Sequence, residues 1–111
     1  MSENEAFDTS IALLNKYFEK VKNGGKNIES REYRLGISEG DKVRLMNGYD
    51  PENGSIVRKV RKVERKKIKN LTDGEVKGLG FGSVEEVRNF FGTNESFEIF
   101  LFYLEDGEQD E

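Results

Sequence analysis

Lys26, Glu29 and Arg31 put three ionisable side chains within six residues. A carboxylate flanked by two cations can hold a ligand with donors and acceptors at once. Arginine offers a bidentate fork and lysine a point charge to phosphates or base edges. The same Lys–Glu pair could do acid–base work if a cleft perturbed both groups. In an extended segment Glu29 and Arg31 share a face, since side chains repeat every two residues. The plain alternative is a solvated ion pair on a strand, worth little to stability.

The rest of the composition narrows the chemistry. The 111-residue chain suggests one domain, and it has no cysteine and no histidine. That removes a disulfide scaffold, a thiol nucleophile, the usual general base and the commonest metal ligands. No metal and no cofactor is expected. Charged residues are 36% and hydrophobic ones 34%, but eight Phe and four Tyr argue for a packed core. The acidic start, Met1 to Asp8, has no apolar run of the signal-peptide kind, and no stretch approaches membrane-spanning length. A cytoplasmic location, without a membrane, is expected. Net charge is −4, yet residues 56–70 hold eight cations against Glu64 alone, a local +7 that leaves −11 for the remainder. Such asymmetry accompanies contact with nucleic acid or another charged partner.

Several elements must position the three ionisable groups. Asp8, Thr9 or Ser10 can cap a first helix, whose stripe is Ile11, Leu14, Phe18 and Val21, widened by Leu13 and Tyr17. Gly24 and Gly25 end it, because glycine reaches the left-handed C-cap geometry without a steric penalty. Ile28 to Leu35 reads as extended, and Lys42 to Met46 as a strand with Val43 and Leu45 inward. The loop Asn47 to Gly54 is full of turn residues. Ser55 to Ile68 is a strand only if a bulge between Val60 and Val63 resets the alternation, since Val57, Val60 and Val63 are spaced by three. Leu71 to Gly82 reads as a loop with a short helical turn. Ser83 and Glu86 form a capping box for a second helix with Val84, Val87 and Phe91 on one stripe. Phe97 to Leu104 is apolar almost throughout, as a strand buried on both faces would be. The reading is an α+β domain over residues 7–104, with a flexible acidic N-terminus at 1–6 and a disordered acidic tail at 105–111.

The spacing Gly24-x-Lys26-x-x-Glu29-x-Arg31, followed by Gly40-Asp41 opening the next strand, resembles the ASCH domain (activating-signal-cointegrator homology), of the PUA-like superfamily linked to RNA. The resemblance implies a small β-barrel of five or six strands with two or three flanking helices, and a cleft lined by the motif beside the first helix. It implies an RNA or nucleotide partner, single-stranded or modified, bound at Lys26, Glu29 and Arg31. By residue type Tyr33 could stack a base beside them, and by charge Arg58, Arg61, Arg65 and Lys67 would follow the backbone. A monomer is expected, with a protein partner in transcription or translation as another class. Two enzymatic alternatives come with the family. One is RNA cleavage with Lys26 and Glu29 as an acid–base pair. The other is amide hydrolysis of an acylated cytidine, in which the family's Lys, Thr and Glu act together. Lys26 matches that Lys, but Glu29 stands where the Thr would be. The stretch expected to carry the acid reads approximately Gly78-Leu79-Gly80, with Glu75 the nearest carboxylate. No catalytic residue is therefore assigned.

Overall fold

In the computed structural model, which describes residues 7–105, the chain enters as a strand. Strand β1 spans Thr9–Leu13 and lies parallel to β3, Lys42–Asn47. This corrects the expected helix start at Asp8 to Ser10. Ile11 and Leu13 alternate into the core with period two, and pairing with β3 satisfies their backbone. Asp8 closes the end of that pairing: its carboxylate accepts from Lys42 N–H, and its own N–H donates to Lys42 C=O. Helix α1, Asn15–Lys22, is shorter than the stripe suggested. It buries Tyr17, Phe18 and Val21 and leaves Leu14 exposed at its N-cap.

The end of α1 follows the glycine rule closely. Gly24 takes φ +89°, Gly25 N–H donates to Lys20 C=O and Gly24 N–H to Val21 C=O. This is a Schellman closure, and only glycine holds that φ cheaply. Strand β2, Ile28–Arg31, follows at once, so the extended stretch is shorter than Ile28 to Leu35.

Strand β4, Ser55–Lys67, pairs antiparallel first with β3 and then with β5, Glu98–Leu104. The handover is a bulge: Val60 faces Leu104 and Lys62 faces Tyr103, leaving Arg61 unmatched. The extra residue lets both Val60 and Val63 face inward although three positions separate them. Helix α2, Asp73–Gly78, has a full capping box between Thr72 and Glu75. Helix α3, Val84–Phe91, is capped by Ser83, while the Glu86 carboxylate accepts from Gly82 N–H instead of closing the box.

The five strands form one sheet in the order β1-β3-β4-β5-β2, curled into a half-barrel, with three α-helices among the described residues. One apolar cluster joins α1 to one face of the sheet through Phe18, Val21, Leu45, Val60 and Phe102. A second joins α2 and α3 to Ile28, Ile99, Leu101 and Tyr103. Strand β5 lies between the two and is buried on both faces, as its apolar run requires. Residues 1–6, and the tail beyond Glu105, lie outside the described residues. Among those described, no helix is long and apolar enough to cross a membrane.

Candidate nucleotide-binding site

The edges of the half-barrel are β1 and β2, and the gap between them is bridged by a side chain. Arg31 Nη2 on β2 donates to the carbonyl of Ala12 on β1 at 3.0 Å. Nη1 donates to Ser30 C=O at 2.9 Å and to the Glu29 carboxylate. Three of the five N–H groups of the guanidinium are thus spent on the seam, and two remain.

Glu29 is 3% exposed and Lys26 4%. Lys26 Nζ lies 3.2 Å from Glu29 Oε1, 2.7 Å from Ile28 C=O and 2.8 Å from Leu79 C=O. Burial pulls the Lys26 ammonium below its ordinary range, and the charge and hydrogen bond of Glu29 oppose that. The three acceptors match the three N–H donors of an ammonium; a neutral amine would have a donor too few. Lys26 is a buried cation holding Glu29 in place.

The carbonyls that receive Lys26 have a local origin. A helix leaves its last C=O groups unpaired at the negative end of its dipole. At the end of α2, Gly78 C=O accepts from Asn27 N–H at 2.9 Å, Leu79 C=O from Lys26 Nζ, and Gly80 C=O from Lys20 Nζ at 2.7 Å. The stretch where the family resemblance looks for an acid supplies backbone oxygens instead. Glu75 turns away: its carboxylate holds Lys66 at 2.9 Å and lies 2.8 Å from the Tyr103 hydroxyl.

Lys26, Glu29 and Arg31 form the charged floor of a pocket of about 360 Å³. Its walls are Tyr17, Phe81 and Phe90, with Tyr49 at the rim, 89% exposed. Tyr17, Phe81 and Phe90 pack on one another with ring centroids 5.4–5.7 Å apart. Burial, then the charges of Glu86 and Glu29, raise the Tyr17 phenol, so it stays protonated. Sequence reasoning placed Tyr17 in the core and singled out neither Phe81 nor Phe90. The available signals were modest: Phe90 falls off the Val84, Val87, Phe91 stripe, and Phe81 sits between two glycines.

The other residues expected at the site lie elsewhere. Tyr33, 71% exposed, lies outside the pocket in an adjoining shallow concavity. Arg58, Arg61, Arg65 and Lys67 are on β4, the middle strand, two strands from either edge, and none lines the pocket. Arg58 donates to Val57 C=O. The guanidinium of Arg61 lies 5.4 Å from the Tyr103 ring centroid, and Arg65 pairs with Glu98 at 3.2 Å. Lys67 faces Glu98 in the strand register. Lys62 pairs with Glu64, already counted in the local +7, and Glu75 and Glu98, paired with Lys66 and Arg65, neutralise part of the remainder. No group of residues suited to hold a metal occurs among the described residues.

No family model matches the sequence, and no curated protein matches it either. Solved structures do. The ASCH protein of Zymomonas mobilis superposes with a TM-score of 0.68 at 17% identity, over 87% of this chain and 66% of that one. This chain therefore spans just under two thirds of that protein. An ASCH domain from Lactobacillus crispatus gives 0.68 at 15% identity, over 88% of this chain and 79% of that one. A protein of Enterococcus faecalis gives 0.72 at 12% identity, over 90% and 76%. The chain has the ASCH-type fold.

Proposed function

We propose that the protein binds RNA or a nucleotide by taking one base into the pocket at the half-barrel seam. The observation that carries this reading is the pocket's division into aromatic walls and a charged floor. A nucleobase is apolar on its faces and polar on its edges. Tyr17, Phe81 and Phe90 offer surfaces against which such a ring can pack. Glu29 has lone pairs left for a base amino group, and the two remaining N–H groups of Arg31 can donate to a base carbonyl or a phosphate. The volume is near the lower end of the roughly 300–1,000 Å³ usual for small-ligand sites, as suits a single nucleotide. The ASCH-type fold, whose family resemblance implies RNA, supports the same reading.

The acid–base alternative is weaker on geometry. Lys26 has no N–H to spare, Glu29 sits between two cations, and Glu75 faces Lys66 and Tyr103. The test is a titration of isotope-labelled protein with each nucleoside 5′-monophosphate and with mixed RNA oligomers at low salt. We expect saturable shifts at the amides around Ala12, Glu29 to Arg31 and Phe81. Arg31→Ala should weaken the preferred ligand by about 1–3 kcal/mol. Absence of saturation with every probe would remove the reading.

A further inference from the structure

The pocket does not stand alone. On one side, a concavity of about 330 Å³ is bordered by Lys16, Lys20 and Asn89, and it shares Tyr17, Phe81 and Phe90 with the pocket. On the other, a concavity of about 320 Å³ is bordered by Tyr33, Leu35 and Phe91, and it shares Arg31 and Phe90. Phe90 borders all three, and it is 46% exposed, one turn of α3 after the buried Val87. Phe90 packs on Tyr17, Phe81 and Phe91, and the exposed Tyr33, Leu35 and Tyr49 border the same hollows. A run of exposed apolar side chains along a concavity, unlike one alone, marks a ligand groove.

We propose that these hollows are one groove for a short single strand of RNA, with a base in the pocket, a neighbouring phosphate beside Lys16 and Lys20, and the next base against Tyr33. This rests on the base-binding reading of the pocket and deepens it: the ligand is an oligonucleotide, not a free nucleotide. The charges suit a strand. Lys16 is exposed on α1, and Lys20 spends one N–H on Gly80 C=O and keeps two. Arg31 stands in the wall between pocket and Tyr33, where the phosphate linking two bases would pass. Glu86 and Glu32 also face the groove, but Glu86 is held by Gly82 N–H. Tyr33 has an open ring face, and stacking of a base on an aromatic tolerates any sequence.

The experiment compares the four nucleoside 5′-monophosphates with the trinucleotide of each base, by calorimetric titration of wild type, Tyr33→Ala and Lys16→Ala. Both side chains are exposed, so neither substitution threatens folding. Wild type should bind the best trinucleotide at least about fivefold more tightly than its monophosphate, the gain from one added stack. Tyr33→Ala should remove most of that gain while affecting the monophosphate far less. Lys16→Ala should weaken the trinucleotide at low salt and cease to matter at high salt. Equal affinity for mono- and trinucleotide, or equal losses on both ligands in Tyr33→Ala, would overturn the groove and leave the pocket reading standing. Failure of wild type to bind any of the eight probes would overturn both.

Discussion

Lys26 carries the architecture of the site in a single side chain. Substituting it leaves the buried Glu29 carboxylate with one cation instead of two and leaves Leu79 and Ile28 carbonyls unpaired. Lys26→Met should destabilise the fold by about 3 kcal/mol, the low end for breaking a buried pair, since Arg31 still faces Glu29. Denaturant titration with an unchanged m-value would measure it; a loss below the scatter of the fit would mean that Lys26 is not a structural cation. Glu75 gives a pH signature. Burial alone would raise its carboxyl, but Lys66, Thr72 N–H and the Tyr103 hydroxyl outweigh that and hold it below its ordinary value of 4.5. A depressed folded value means that the stabilisation is complete above pH 4.5 and is lost as pH falls through the folded value. Wild type should therefore exceed Glu75→Gln in stability above that pH, and the two should converge in acid. Parallel stability curves down the whole acid limb would contradict this.

Among the elements, α2 matters more than its six residues suggest. Its end delivers three consecutive carbonyls, two to Asn27 and Lys26 in the turn before β2 and the third to Lys20 on α1. Gly78 is there because of closeness: a Cβ would come within 2.7 Å of Asn27 Oδ1 and 2.9 Å of Ile28 Cδ1. Asn27 is exposed and can move, whereas Ile28 is buried. Alanine normally gains about 1 kcal/mol over glycine inside a helix, while overpacking costs roughly 1–3. Gly78→Ala should be net destabilising, by about 1 kcal/mol. Thermal unfolding should show a midpoint lower by about 4 °C; a raised midpoint would mean that Ile28 yields freely.

At the scale of the molecule, charge and site are separated. The pocket lies at the seam between the edge strands, and the basic run lies on the middle strand. A long RNA can touch both only by wrapping around the half-barrel. Phosphates held along β4 would then add affinity that depends on salt and is blind to sequence. For the double variant Arg61→Glu/Arg65→Glu, the slope of log affinity against log salt should fall by roughly 0.7 for each phosphate no longer neutralised, for long single strands. Most of that should come from Arg61, because Arg65 already pairs with Glu98. Binding measured at two salt concentrations decides it; an unchanged slope would take the basic strand out of the footprint.

What the sequence determined by itself was local. Gly24 and Gly25 closed α1, Glu29 and Arg31 fell on one face of an extended segment, and Val60 and Val63 required a bulge. The unbroken apolar run before Glu105 required a strand buried twice. Each follows from backbone geometry or side-chain period within a few residues. The start of the chain misled because Ile11, Leu14, Phe18 and Val21 satisfy a helical period by coincidence. Pairing of Thr9–Leu13 with a strand more than thirty positions away overrode that period. The site was half legible for the same reason. The motif gave the charged floor, but Lys26 meets Leu79 across 53 residues and Lys20 meets Gly80 across 60. The aromatic walls come from α1, the α2–α3 connection and α3. No local pattern specifies which carbonyl caps a distant ammonium, or which aromatic stays half in water. Sheet order and helix docking decide both, because they alone set where the half-barrel stays open.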